Sequence, residues 1–287
     1  MSPLDSERRP AYNHGMIDFS RLLVCPDSLA PLTERENGLY SERTGVLYRF
    51  HQGIPVMHTE APPPEEAVEP GAFALSVIED ENMLPAPLAD ALGKAVAELA
   101  DLASSGVGIT LELGAGYGKL ARRIMASEPS SFVITTDPSP ALLAALREAM
   151  AAEGLRPPWL VAANLRRLPF RTSFADRAVS VAGFNNVRDA RLALGEAARV
   201  LKDGGKLAFA HLVLPDPDCP GALLAAEQGL GHLLNISDLD TAMRGYDLRL
   251  EEVRELAAGK WPEDERNFVP ASGDPYSFYL VVARKEE

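Results

Sequence analysis

Cysteine is scarce: Cys25 and Cys219 are the only two in 287 residues. Two thiols cannot build a disulfide framework, nor a four-cysteine metal site. Long apolar runs are missing too, since none approaches the roughly 20 residues that a membrane helix needs. The opening MSPLDSERRP also has no apolar signal core. These absences predict a soluble, cytoplasmic chain. Cations are outnumbered, with 28 Lys and Arg against 41 Asp and Glu for a net charge of −13. That balance argues against a general nucleic-acid binder, because a phosphate backbone attracts clustered positive charge. What is present is ordinary for a globular protein, 46% hydrophobic and 24% charged, and long enough for one large domain with a small companion.

The acidity is unevenly placed. Residues 1–60 carry a net −2, 61–105 a net −8, 106–215 a net +5 and 216–287 a net −8. The middle is basic between acidic flanks, although charge runs are most often solvated faces.

From Leu22 to Met57 the pattern is short strands and turns, with Asn37-Gly38 as a hairpin signal. The stretch APPPEEAVEPG, residues 61–71, is rich in Pro and Glu and reads as a linker. The expected organisation is a small β domain over 1–60, a linker over 61–85 and a large domain over 86–287. Leu88, Leu92, Val96, Leu99 and Leu102 recur at helical spacing. Strands then alternate with helices from Gly108 onward, which predicts parallel pairing and a doubly wound α/β sheet. No internal repeat is present.

The strongest signal is Leu111-Glu112-Leu113-Gly114-Ala115-Gly116-Tyr117-Gly118-Lys119, where an apolar strand meets a helix. Glycines there permit positive φ and close approach of a ligand to the main chain. Lys119 lacks Walker spacing, so nucleoside-triphosphate chemistry is not expected. Glu112 stands two residues before the first glycine, as an acceptor for turn amides or for a ligand's amine, or as a strand-end acid. FVITTD ends at Asp137, the place of an acid that accepts both hydroxyls of a ribose. Asp137 is also placed to cap the helix opened by Pro138, and the two roles are compatible.

These residues resemble the class I S-adenosylmethionine-dependent methyltransferases, whose first motif is an acid followed by G-x-G-x-G. Asn164-Leu165-Arg166-Arg167-Leu168-Pro169-Phe170, SFADRAVSVAGFNNVRDA and EAARVLKDGGKLAFAH are similar to the family's later motifs, and FNNVRD with ARVLKDGG looks most like its quinone-biosynthesis C-methyltransferase branch. The resemblance covers about residues 108–214. It implies a seven-stranded Rossmann-like sheet, S-adenosyl-L-methionine as methyl donor, and a donor site of Glu112, Gly114, Ala115, Gly116, Gly118, Asp137, Pro138, Asn164, Leu165 and Asn185. Asn164 takes the adenine-edge position where aspartate is common, keeping an acceptor oxygen without the charge; its other reading is a residue of a strand-to-loop turn. Acceptor-side candidates are Tyr117, Asn186 and Arg188, with Tyr117 either closing over methionine or packing. His211 is the candidate base, or else a satisfied histidine at a strand edge. His14, His51, His58 and His232 form no metal-ligand pattern.

LLVCPDSLAPL and SERTGVLYRFHQGIPVM resemble the small zinc-ribbon module that accompanies some rRNA, tRNA and protein methyltransferases. Cys25 survives there, while Ser28, Ser41 and Thr44 stand at the other ligand positions. Hydroxyls are poor zinc ligands, so a metal-free ribbon is expected, held by packing of Leu22, Leu32, Leu39, Val46, Tyr48, Ile54 and Val56. The functional expectation is methyl transfer to a small-molecule acceptor, without a membrane partner and with a homodimer as the possible assembly. The rivals are an RNA or translation-protein methyltransferase, favoured by the ribbon and by Arg166, Arg167, Arg171 and Arg188, and a non-catalytic cofactor-binding relative. The base-flipping N-P-P-aromatic sequence is missing at GFNNV.

Overall fold

A computed structural model describes residues 18–59, 72–78, 80–230, 235–263 and 268–286. His14, His232, residues 61–71 of the expected linker and residues 264–267 lie outside them.

The described residues begin with a one-turn helix α1 (Phe19–Leu22) and four short strands, β1 (Thr33–Arg35), β2 (Gly38–Tyr40), β3 (Leu47–His51) and β4 (Ile54–Pro55), which form an antiparallel sheet in that order. The first hairpin closes with Arg35 opposite Gly38, so its two-residue turn is Glu36-Asn37. Gly38 is required by proximity: a Cβ there would lie 2.2 Å from the Tyr48 carbonyl oxygen.

After the linker come α2 (Ala74–Val77), a 3-10 turn (Glu81–Met83) and the long helix α3 (Ala86–Ser104). Phe73, Ala74, Leu75 and Ile78 are buried, so the second half of the expected linker is packed against the large domain. The main sheet is built from β5 (Ile109–Leu113), β6 (Phe132–Asp137), β7 (Trp159–Ala162), β8 (Ala175–Val181), β9 (Leu201–Val213), β10 (Leu248–Lys260) and β11 (Pro275–Lys285). Its spatial order is β10-β11-β9-β8-β5-β6-β7. The five strands from β9 to β7 pair in parallel, and β11 runs antiparallel to both β9 and β10. The doubly wound expectation holds. Sequence order reverses direction between β5 and β8, and ligands of open α/β sheets bind at such a switch point, beyond the carboxyl ends of the strands.

The two faces are covered differently. On one, Leu88, Leu92 and Leu99 of α3 pack with α4 (Lys119–Ser127) and α5 (Pro140–Ala152) over Val133, Val179 and Ala208. The α7 helix (Pro220–Glu227) adds Ala222 and Ala225 to that cluster. On the other, α6 (Ala190–Val200) and α8 (Ile236–Arg244) cover one half, and the ribbon covers the other. The β7-to-β8 connection, residues 163–174, contains turns and no helix. Leu23, Cys25, Leu32, Leu39, Tyr48 and Met57 of the ribbon fill that space, sharing a core with Val161, Leu165, Leu168 and Phe170. The ribbon thus buries apolar surface that a crossover helix would otherwise cover. Among the described residues no helix is long and apolar enough to cross a membrane.

Candidate donor site

Two turns meet at the switch point. The turn after β5 places Gly114 and Gly118 at φ of 71° and 75°, conformations that glycine adopts without steric cost. A Cβ on Gly114 would lie 2.9 Å from Gly183 Cα, and one on Gly118 would meet Leu146 of α5 at 2.2 Å. The turn after β8 is equally confined, because a Cβ on Gly183 would sit 2.4 Å from the Leu113 carbonyl oxygen. Ser180 fastens the pair, donating its hydroxyl to that same carbonyl at 2.6 Å and accepting the Gly183 amide at 3.2 Å. Neither Ser180 nor Gly183 stood out in the sequence, since each carries its role through a contact with the other turn.

Asp137 ends β6 beside the glycine turn. Its Oδ2 accepts the Gly116 amide at 2.8 Å and its Oδ1 accepts the Ser139 amide at 2.9 Å. Burial pushes its carboxyl up from the ordinary value, against the lowering effect of those amides and of nearby His58. The helix cap belongs to Ser139, whose hydroxyl oxygen accepts the Leu142 amide. Asp137 is therefore committed to the glycine turn and to the start of the segment that leads into α5.

Glu112 is shut from solvent and its oxygens are engaged within the protein. One accepts the Ala121 amide of α4 at 3.0 Å, the other the Thr135 hydroxyl at 2.7 Å. Burial pushes its carboxyl up to about 7, with Asp137 adding repulsion and the two donors opposing. The geometry uses Glu112 to fasten α4 to β5 and β6; the amide it accepts belongs to α4 and not to the glycine turn.

The remaining expected site residues fall into two groups. Ala115 gives its amide to the Thr136 carbonyl, Pro138 is exposed, Leu165 is buried and Tyr117 is half-buried in the glycine turn. Asn164 sits beyond β7, and its side-chain oxygen accepts the Arg166 amide at 2.9 Å, an Asx turn. These line the carboxyl ends of β5, β6 and β7. Asn185 mimics a strand partner: it donates to the Leu212 carbonyl at 2.8 Å and accepts the Leu212 amide at 3.1 Å, pinning the β8 turn to β9. Asn186 accepts the Phe73 amide at 2.9 Å and so holds the segment before α2 over this turn. Arg188 passes beside Gly229. His211 is buried two residues before the end of β9, its ring edge-on to Phe209 with centroids 5.8 Å apart.

The four positions that the resemblance pairs with metal ligands also converge in the small N-terminal sheet. Cys25 is fully buried, with its sulfur 3.4 Å from the Tyr48 hydroxyl and 3.7 Å from that of Thr44. Burial raises the thiol, and hydrogen bonds from Ser28, Ser41, Tyr48 and Thr44 outweigh it, bringing the pKa down to about 6. Among the described residues no group of three or more His, Cys, Asp or Glu is placed to hold a metal.

Comparison with known proteins agrees with this geometry. Residues 111–209 match the methyltransferase domain family. The match covers about a third of the chain. The ubiquinone/menaquinone biosynthesis C-methyltransferase UbiE of Syntrophotalea carbinolica is 35% identical over 113 residues, 39% of this chain and 47% of that protein. The demethylmenaquinone methyltransferase of Thermus thermophilus is 37% identical over 107 residues, covering 37% and 47%. The chloroplast 2-methyl-6-phytyl-1,4-hydroquinone methyltransferase of Arabidopsis thaliana is 30% identical over 141 residues, covering 49% and 40%. The chain spans about half the length, or less, of these curated relatives. Among solved structures, a Bacillus halodurans protein superposes with a TM-score of 0.55 at 18% identity, covering 68% of this chain and all of that one. The [4+2]-cyclase SpnF superposes with a TM-score of 0.54 at 18% identity, covering 77% and 87%. S-adenosylmethionine is the cofactor that the match to a methyltransferase domain implies, and the glycine-only cradle beside a buried strand-end acid fits it.

Proposed function

We propose that the chain is an S-adenosylmethionine-dependent methyltransferase whose acceptor is a small, largely apolar molecule of the quinol type. The observation that carries this reading is the Asp137 carboxylate bonded to the Gly116 amide at the switch point. In it, Asp137 would hold the ribose, the Gly114–Gly118 turn would approach the amino-acid part, and Asn164 and Leu165 would flank adenine. The bound donor supplies a methyl group on cationic sulfur for in-line displacement by an electron pair of the acceptor. The chain contributes by holding the two partners in contact. Phe73, Trp261, Phe268, Val269 and Tyr276 are buried in one apolar cluster with Leu212 and Leu214 around the end of β9, and an acceptor beside that cluster would meet apolar surface. His211, near the end of β9, is the base assigned to an acceptor that arrives protonated. His211→Asn is then expected to lower kcat with KM unchanged.

The charge distribution supports a small molecule over RNA. In the basic middle block, Arg167 pairs with Asp27 of the ribbon, Arg199 with Glu196, and Lys202 with Asp176. Arg177 is buried on the carbonyls of Ala103 and Gly106. These cations serve internal contacts. The test is transfer of labelled methyl from S-adenosylmethionine to a panel of quinols, phenols and RNA. Labelling of a quinol or phenol is expected; labelling of RNA alone would overturn the acceptor class.

A further inference from the structure

The ribbon does more than cover the sheet, because its tail runs along the open edge of β7. Val56 forms a parallel bridge with Ala162, and Met57 donates its amide to the Ala162 carbonyl at 2.7 Å. Ala162 in turn is registered with Asp137 on β6. The tail therefore extends the sheet by one more strand-like step, and in that register His58 comes level with Asn164, at the edge where the strands end. Its imidazole reaches back over the strand ends, with Nε2 2.8 Å from the Pro138 carbonyl oxygen. Pro138, Asp137 and Asn164 are residues of the adenosine side of the donor site described above. The hairpin bearing the tail is anchored independently, since Arg147 of α5 donates to the Gln52 carbonyl at 2.8 Å and to its side-chain oxygen at 3.2 Å. Arg147 neighbours Leu146, which packs under Gly118. The ribbon is thus tied both to the helix supporting the glycine turn and to the residue following the ribose acid.

We propose that His58 is a donor-contact residue, through which the ribbon supplies the outer wall of the adenosine subsite. The inference rests on the donor reading above. The ring fits an adenosyl group because a planar imidazole held at Pro138 offers a face for stacking on a flat base. The ligand contact and the tie to Pro138 are separable roles, and the second could exist without the first.

The experiment is calorimetric titration of the full chain with S-adenosylhomocysteine and with 5′-methylthioadenosine, which keeps the adenosyl part and lacks the amino acid. His58→Ala is expected to weaken both ligands by the same factor, about tenfold, and to lose the bond to the Pro138 carbonyl as well. His58→Gln keeps an N–H for the Pro138 carbonyl and removes the ring, and it is expected to remain weakened. Wild-type affinity in either variant would overturn the proposal while leaving the donor reading intact. A loss confined to S-adenosylhomocysteine would also overturn it, since the contact would then not be adenosyl. Failure of the wild-type chain to bind either ligand would instead remove the donor reading itself.

Discussion

Cys25 at the centre of the ribbon and Glu112 at the centre of the large sheet are both shut away from water, yet their acidities move in opposite directions. Glu112 has two donors, the Ala121 amide and the Thr135 hydroxyl, and a second carboxylate nearby, and burial prevails. Cys25 is surrounded by four hydroxyls, and the donors prevail. Burial sets the cost of a charge; the number of donors decides whether the charge persists. Three of the four hydroxyls, those of Ser28, Ser41 and Thr44, occupy positions where the resembling module has metal ligands. They stabilise by hydrogen bonding the thiolate that a cation would otherwise neutralise.

Restoring the ligands is the largest way to break this comparison. The triple variant Ser28→Cys, Ser41→Cys, Thr44→Cys is expected to bind one zinc per chain by elemental analysis, with stabilisation on the order of several kcal/mol. The wild-type chain is expected to bind none.

The next effects oppose each other in sign. The folded-state pKa of Cys25 lies below the ordinary 9.0, so wild-type stability should rise with pH between about 6 and 9, by at most on the order of 4 kcal/mol. Cys25→Ser should flatten that window in denaturant titrations. The folded-state pKa of Glu112 lies above the ordinary 4.5. Its contribution is therefore complete at low pH and is lost as pH rises from about 4.5 to 7, on the order of 3 kcal/mol. Glu112→Gln should remove that fall and leave the variant more stable than wild type above pH 7. Parallel slopes in the two windows would contradict the account of donors against burial. Smallest of all, Asn164→Asp keeps the turn acceptor and adds charge at the adenine edge, and a two- to fivefold gain in S-adenosylhomocysteine affinity is expected, on the order of 0.5–1 kcal/mol.

The sequence and structure agree best where local chemistry determines conformation. The glycine turn, Asp137 at a strand end and the alternation from β5 to β9 follow from residue types that the backbone demands there. β10 was not apparent, because LRLEEVRELAAGK is rich in helix formers and becomes a strand through pairing with β11 along its length. The linker boundary was drawn by composition, yet Phe73 and Ile78 show that burial resumes well before α3. Within the site, Ser180, Gly183 and His58 act through partners 67 to 80 residues away, and no spacing along the chain marks such pairs. Asn185 and Glu112 are donor-site residues by the resemblance, with Glu112 also open to a role as an acceptor for turn amides or a strand-end acid. Their hydrogen bonds go to the protein itself, which only three-dimensional placement reveals.

The ribbon and the large domain also differ in what they retain. The large domain keeps a turn that only glycine can form, together with an acid that buried amides hold in place. The ribbon has hydroxyls at the three positions where the resembling module has ligands, and it is held by packing, by its dock on β7 and by its reach to Pro138. Packing tolerates changes of chemistry that a ligand cradle does not.

The most direct test of the donor site is calorimetric titration of the wild-type chain and of Asp137→Ala with S-adenosylhomocysteine. Saturable binding at one site per chain, lost in Asp137→Ala while the variant remains folded by circular dichroism, is the result predicted. No binding to the wild type, or equal binding to the variant, would contradict it.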